Sequence, residues 1–132
     1  MTALSLGMVT LVVPDYDEAI AFFVGKLGMR LVVDRQESAT KRWVEVGGNG
    51  GLRLLLARAA SPQQAAAIGN QAGGRVGFFL YTDDFAATHT AMRAKGVAFD
   101  GEPRHEGYGS VAVFTDVAGN RWDLIQLAGT EQ

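Results

Sequence analysis

The 132-residue chain contains no cysteine and only two histidines. Disulfide bridges, thiolate metal sites and cysteine nucleophiles are therefore excluded. No block of like charge is present, and the formal net charge is −2, so there is neither a charged tail nor a basic surface for nucleic acid. No apolar run approaches a membrane span, and no charged N-terminal stretch leads into a long apolar one. These absences predict a soluble, cytoplasmic protein without nucleic-acid or membrane partners. Gly47-Gly48-Asn49-Gly50-Gly51 lacks the lysine and the strand-to-helix setting that a phosphate-cradling loop needs. What remains is a chain with 48% hydrophobic residues and 17 glycines. That glycine content is about double the usual ~7% and fits short strands joined by tight turns.

The chain says nearly the same thing twice. Leu11-Val12-Val13-Pro14-Asp15, an apolar-periodic helix and Gly28-Met29-Arg30-Leu31-Val32-Val33 have a counterpart. It runs from Phe79-Leu80-Tyr81-Thr82-Asp83-Asp84 through a second helix to Gly96-Val97-Ala98-Phe99. The two glycines lie 68 residues apart, a period expected of two supersecondary units in one domain. In the first unit, residues 5–13 read as a strand ended by Pro14. Asp15 stands at an N-cap position with Glu18 three residues on. Ala19, Ile20, Phe22, Phe23 and Leu27 form one helical stripe, which Gly28 stops. Strands are predicted at 29–35, 41–47 and 51–57, the last two joined by the glycine cluster. Residues 58–73, with Pro62 at a first helical position, form a short helix or loop. The second unit repeats the plan: a strand over 74–82, a helix capped by Asp83 or Asp84 to about 95, and strands near 97–102, 108–115 and 121–127. The prediction is α+β: two βαβββ modules, about 5–57 and 74–127, forming a half-open barrel with the helices outside.

Several segments resemble the vicinal oxygen chelate superfamily, which includes glyoxalase I, bleomycin-resistance proteins and extradiol dioxygenases. They are Val9-Thr10-Leu11-Val12-Val13-Pro14-Asp15, Phe22-Phe23 closing with Leu27-Gly28, Gly77-Phe78-Phe79 and Lys95-Gly96-Val97. The strongest is Asp116-Val117-Ala118-Gly119-Asn120-Arg121-Trp122-Asp123-Leu124, with Val117 where the family often has proline. The resemblance implies a divalent metal held by two His and two Glu from the first and last strands of each half. Carried over, those positions are Met8, Leu54, Arg75 and Asp123. A thioether suits soft ions, leucine has no lone pair, and arginine is always cationic. Only Asp123 is of ligand type, so no metal or other cofactor is expected. The register at Leu54 is the loosest, but Arg53 or Leu55 in its place would not restore the set.

Strand alternation fills the cup between the modules with Met8, Thr10, Val12, Leu52, Leu54 and Leu56. The second half adds Arg75, Gly77, Phe79, Arg121, Asp123 and Ile125. The third strand contributes either Trp43 and Glu45 or Val44 and Val46. An apolar, aromatic cup with one or two charges is the usual make-up of a small-molecule site. Arg75 and Asp123 are expected to pair where relatives hold metal, so that Asp123→Ala costs roughly 3–5 kcal/mol if the pair is buried; otherwise both reach solvent at the mouth. His105, Glu106 and Tyr108 lie in a glycine-flanked loop, either touching ligand or forming a solvated turn. His89 fits a packing position in its helix, and Trp122 points away from the cup.

The reading is a small-molecule binder with a degraded metal site, its ligand met by Met8, Trp43, Leu54, Arg75, Phe79, His105, Tyr108, Arg121 and Asp123. The alternative is a metal-dependent lyase, isomerase or dioxygenase that recruits Asp123 with His105, Glu106 or Glu45. A third possibility is an inert or regulatory subunit. The resemblance also implies a homodimer.

Overall fold

The computed structural model describes residues 2–129. The chain divides between Ile68 and Gly69 into two compact units. In the first, β1 (Met8–Val13) is followed by α1 (Tyr16–Ile20), a π-helical segment (Ala21–Lys26), β2 (Arg30–Gln36), β3 (Arg42–Gly47), β4 (Arg53–Arg58) and α2 (Pro62–Ala67). The second contains β5 (Val76–Tyr81), α3 (Phe85–Ala94), β6 (Ala98–Glu106), β7 (Gly109–Thr115) and β8 (Arg121–Leu127). Each unit carries one four-stranded sheet, ordered β1-β4-β3-β2 and β5-β8-β7-β6. In both, the first strand runs parallel to the last and the other neighbours are antiparallel. No helix among the described residues is long and apolar enough to cross a membrane.

Local chemistry sets the element ends. The Asp15 carboxylate accepts from the Glu18 amide at 2.8 Å and Asp84 accepts from Ala87 at 3.1 Å, so each satisfies an orphan donor of its helix. Pro62 opens α2 behind a Ser61 cap. Gly28, at φ +79°, takes the left-handed turn that ends the first helical run.

Two elements depart from the sequence reading. The first helix is not regular: the Leu27 amide donates to the Phe22 carbonyl at 3.0 Å, five residues back. This widened turn has consecutive Phe22 and Phe23 both buried, edge to face at 5.1 Å. β6 does not stop near residue 102 either. The register shifts between Asp100 and Arg104 and the strand resumes to Glu106. A bulge on an edge strand tolerates Pro103, since no ladder donor is needed there.

Each core lies between a sheet and its helices. Leu11, Val13, Val44, Val46, Leu54 and Leu56 are buried in the first unit. In the second, ring contacts run from Phe85 through His89, Phe99 and Phe114 to Trp122 and Phe78. Burial lowers the His89 pKa, as expected of a packing histidine.

Candidate functional site

The sheet faces turned away from the helices carry the polar groups that the cores do not absorb. In the first sheet, Met8 pairs with Arg53, Thr10 with Leu55 and Val12 with Ala57. Leu54 is therefore not on the face of Met8. It is buried with Leu56 on the helix side, as Leu52 to Leu56 alternation taken one residue out of register would not foresee. A slip of one residue exchanges the two faces of a strand. Applied strictly, the 68-residue repeat maps Asp123 onto Leu55 and Arg121 onto Arg53. The open choice on β3 is resolved as well: Val44 and Val46 are buried, and Trp43 and Glu45 occupy the outer face half-buried.

These outer residues form a closed polar set. The Trp43 indole Nε1 donates to Glu45 Oε2 at 2.7 Å, and Arg53 Nη1 donates to Oε1 at 2.8 Å. The Glu45 side chain is only 12% exposed, yet both oxygens are engaged. The indole hydrogen bond, then Arg53, holds its pKa below the usual carboxylate range. This set escaped the sequence reading. Its signal was Trp and Glu two apart on one strand, with an arginine at the repeat position of Arg121.

On the second sheet, Asp123 lies in register with Phe79 on β5 and Val113 on β7. Ile125, buried, follows it on the same face. Asp123 Oδ1 is buried and accepts no hydrogen bond among the described residues. Desolvation raises its pKa, against the opposing pull of Arg104 and Arg121. Those cations have their own partners: Arg121 meets Asp100 at 3.2 Å and Arg104 meets Glu106 at 2.9 Å. The expected Arg75–Asp123 pair does not form. Arg75 precedes β5, is exposed, and makes no ion pair among the described residues. The repeat partner of Met8 is Val76, which pairs with Arg121 as Met8 pairs with Arg53.

His105 and Tyr108 part company. Because β6 extends past its bulge, His105 sits on a strand, not in a loop. Its Nδ1 lies 2.9 Å from Ser110 Oγ and its ring 6.4 Å from Phe85, on the α3 side of the sheet. It thus faces away from Asp123. Tyr108 occupies the tight turn between β6 and β7 and is half exposed. Phe79, Arg121 and Asp123 share one sheet face in the second unit, while Met8 and Trp43 lie on the outer face in the first.

The Asp116–Asp123 motif is explained by its first residue. Asp116 Oδ1 accepts from the amides of Ala118, Gly119 and Asn120, each at 2.9 Å. Its Oδ2 accepts from Trp122 Nε1 at 2.9 Å and Asn120 Nδ2 at 3.2 Å. This buried carboxylate ties the turn to the strand after it and thereby fixes which way Asp123 points. Gly109 has a comparable necessity, since a Cβ there would strike the Gln126 carbonyl.

By register, the positions corresponding to a metal set are Met8, Leu55, Val76 and Asp123, of which one is a carboxylate. Among the described residues no three His, Cys, Asp or Glu come together to hold an ion. The divalent metal of the superfamily's enzymes does not fit these residues.

The Glyoxalase/Bleomycin resistance protein/Dioxygenase superfamily model matches residues 5–124. An uncharacterized protein of Shewanella frigidimarina (strain NCIMB 400) is 52% identical over 126 residues, 93% of each chain. The crystal structure of UcmS2 superposes with a TM-score of 0.80 at 30% identity, covering 94% of this chain and 98% of its own. TnmS3, an antibiotic binding protein from Streptomyces sp. CB03234, gives 0.77 at 29% identity, covering 97% and 99%. The chain belongs to the Glyoxalase/Bleomycin resistance protein/Dioxygenase superfamily.

Proposed function

We propose that this protein binds a small organic molecule without a metal, its metal site degraded, and that Asp123 is the polar anchor for the ligand. The observation carrying this reading is the buried, unpartnered Oδ1 of Asp123 between Phe79 and Val113. A desolvated acceptor left unpaired costs about 1–3 kcal/mol, a cost that a ligand N–H or O–H would remove. An apolar surface with few polar groups that fix orientation is the usual design of such sites. Similarity to an antibiotic binding protein supports the same class. The family resemblance also favours a homodimer, which sedimentation equilibrium reads directly.

The test is a thermal-shift screen with aromatic amides, phenols and amines, each beside a methylated partner lacking the donor. Donor-bearing compounds should raise the melting temperature in a concentration-dependent way, their methylated partners should not, and Asp123→Leu should abolish the shift. A panel without any shift would overturn the binder. A stoichiometric divalent ion in elemental analysis of the purified protein would overturn the metal-free part.

A further inference from the structure

We propose that Trp43 is a preset stacking surface for a flat aromatic ligand bearing an acidic or acceptor group, and that Glu45, braced by Arg53, is the positioning residue that fixes its plane. This rests on the binder reading above. A tryptophan on a strand can serve either face, and here it lies half-buried on the face away from α1 while Val44 and Val46 fill the core. A side chain so placed would ordinarily retain its rotamer freedom. Trp43 does not, because its only polar atom is held at 2.7 Å by a carboxylate whose other oxygen is held at 2.8 Å by Arg53. Glu45 is 12% exposed, so water competes little for the part-buried indole bond, while the Arg53 bond stays open to solvent on the arginine side. Preorganisation of this kind lowers the ordering cost of binding.

The charge around the ring defines the ligand further. Glu45 is neutralised locally, and Arg53 is 46% exposed with Nη1 alone engaged among the described residues. Arg35, in register with Trp43 on β2, adds a second cation, itself paired with Glu37 at 2.6 Å. An acceptor at the edge of a flat ring would meet the uncommitted guanidinium nitrogens of Arg53. A cationic ring would meet repulsion.

The experiment compares 2-naphthoate with trans-decalin-2-carboxylate, which match in charge and approximate size but differ in flatness. Affinity for each is read from calorimetry on the full chain. The wild type should prefer 2-naphthoate by about threefold to tenfold, the range that aromatic pairing supports. Trp43→Leu should equalise the two probes. Glu45→Leu should do the same, whereas Glu45→Gln, which keeps an acceptor for the indole, should retain most of the preference. A merely structural role for Glu45 would weaken both probes equally. Equal affinity in the wild type, no measurable binding of 2-naphthoate, or full preference in either leucine variant would overturn the proposal. If the Asp123-dependent shifts of the donor panel persist meanwhile, the stacking surface alone fails; if they vanish too, the binder reading fails with it.

Discussion

In the first unit, Glu45 sits on the outer sheet face with both oxygens hydrogen-bonded and its pKa lowered. In the second, Asp123 sits on the outer face two strands from the β6 edge with a buried oxygen unpaired and its pKa raised. The turns before the last strands differ the other way. Among the described residues Gly47 to Gly51 leads into β4 with one side-chain bond, Arg30 Nε to the Gly48 carbonyl at 3.3 Å, whereas Asp116 gathers five hydrogen bonds ahead of β8. One repeat thus engages both oxygens of its outer carboxylate, and the other spends its carboxylate bonds on the turn and leaves Asp123 Oδ1 without a partner among the described residues. Duplication supplied the same scaffold twice, and a few side chains divided the labour between the copies.

Removing the Asp116 carboxylate should have the largest effect. Asp116→Ala strips the second turn of these bonds and strands the buried Trp122 and Asn120 donors. We expect a loss of about 3–5 kcal/mol, read from the urea midpoint. Next come the two carboxylates, which should move in opposite directions. Asp123→Leu removes an unpaired acceptor while Arg104 and Arg121 keep their own partners, so it should stabilise the protein by about 1–2 kcal/mol. That reverses the loss expected from an Arg75 pair. Glu45→Leu, which unpairs Trp43 and Arg53, should destabilise by about 1–2 kcal/mol.

The smallest effect is on pH dependence, again of opposite sign. A lowered folded-state pKa makes the Glu45 contribution fully present above the ordinary carboxylate range and lost as pH falls through the folded value. A raised one makes the Asp123 penalty fully present above its folded value and relieved as pH falls toward the ordinary range. Melting curves of wild type against each leucine variant, from neutral to acid pH, should show both gaps closing on acidification, from opposite sides.

Much of the fold was legible because its signals are local. Asp15, Ser61 with Pro62, Gly28 and the hairpin glycines act within a few residues of themselves, and the elements begin and end close to where they point. The π-turn at Phe22 was not legible, since a helical stripe looks alike whether a turn closes over four residues or five. The strand expected near 97–102 was too short, because edge pairing carried β6 through a bulge to Glu106 and took His105 to the α3 side. The site suffered most. Leu54 and Arg75 were placed with repeat steps of 69 and 67, and one residue of slip is enough to turn a strand over.

The sequence alone determined the duplicated βαβββ plan and the caps and stops of its helices. Composition and short-range stereochemistry suffice for those. Only the tertiary structure decided that Trp43 and Glu45 lie on the sheet face away from the helices, that Arg53 and not Leu54 neighbours Met8, and that Arg75 and Asp123 form no ion pair among the described residues. Pairing between strands distant in the chain sets which side chains share a face, and no local preference encodes that register.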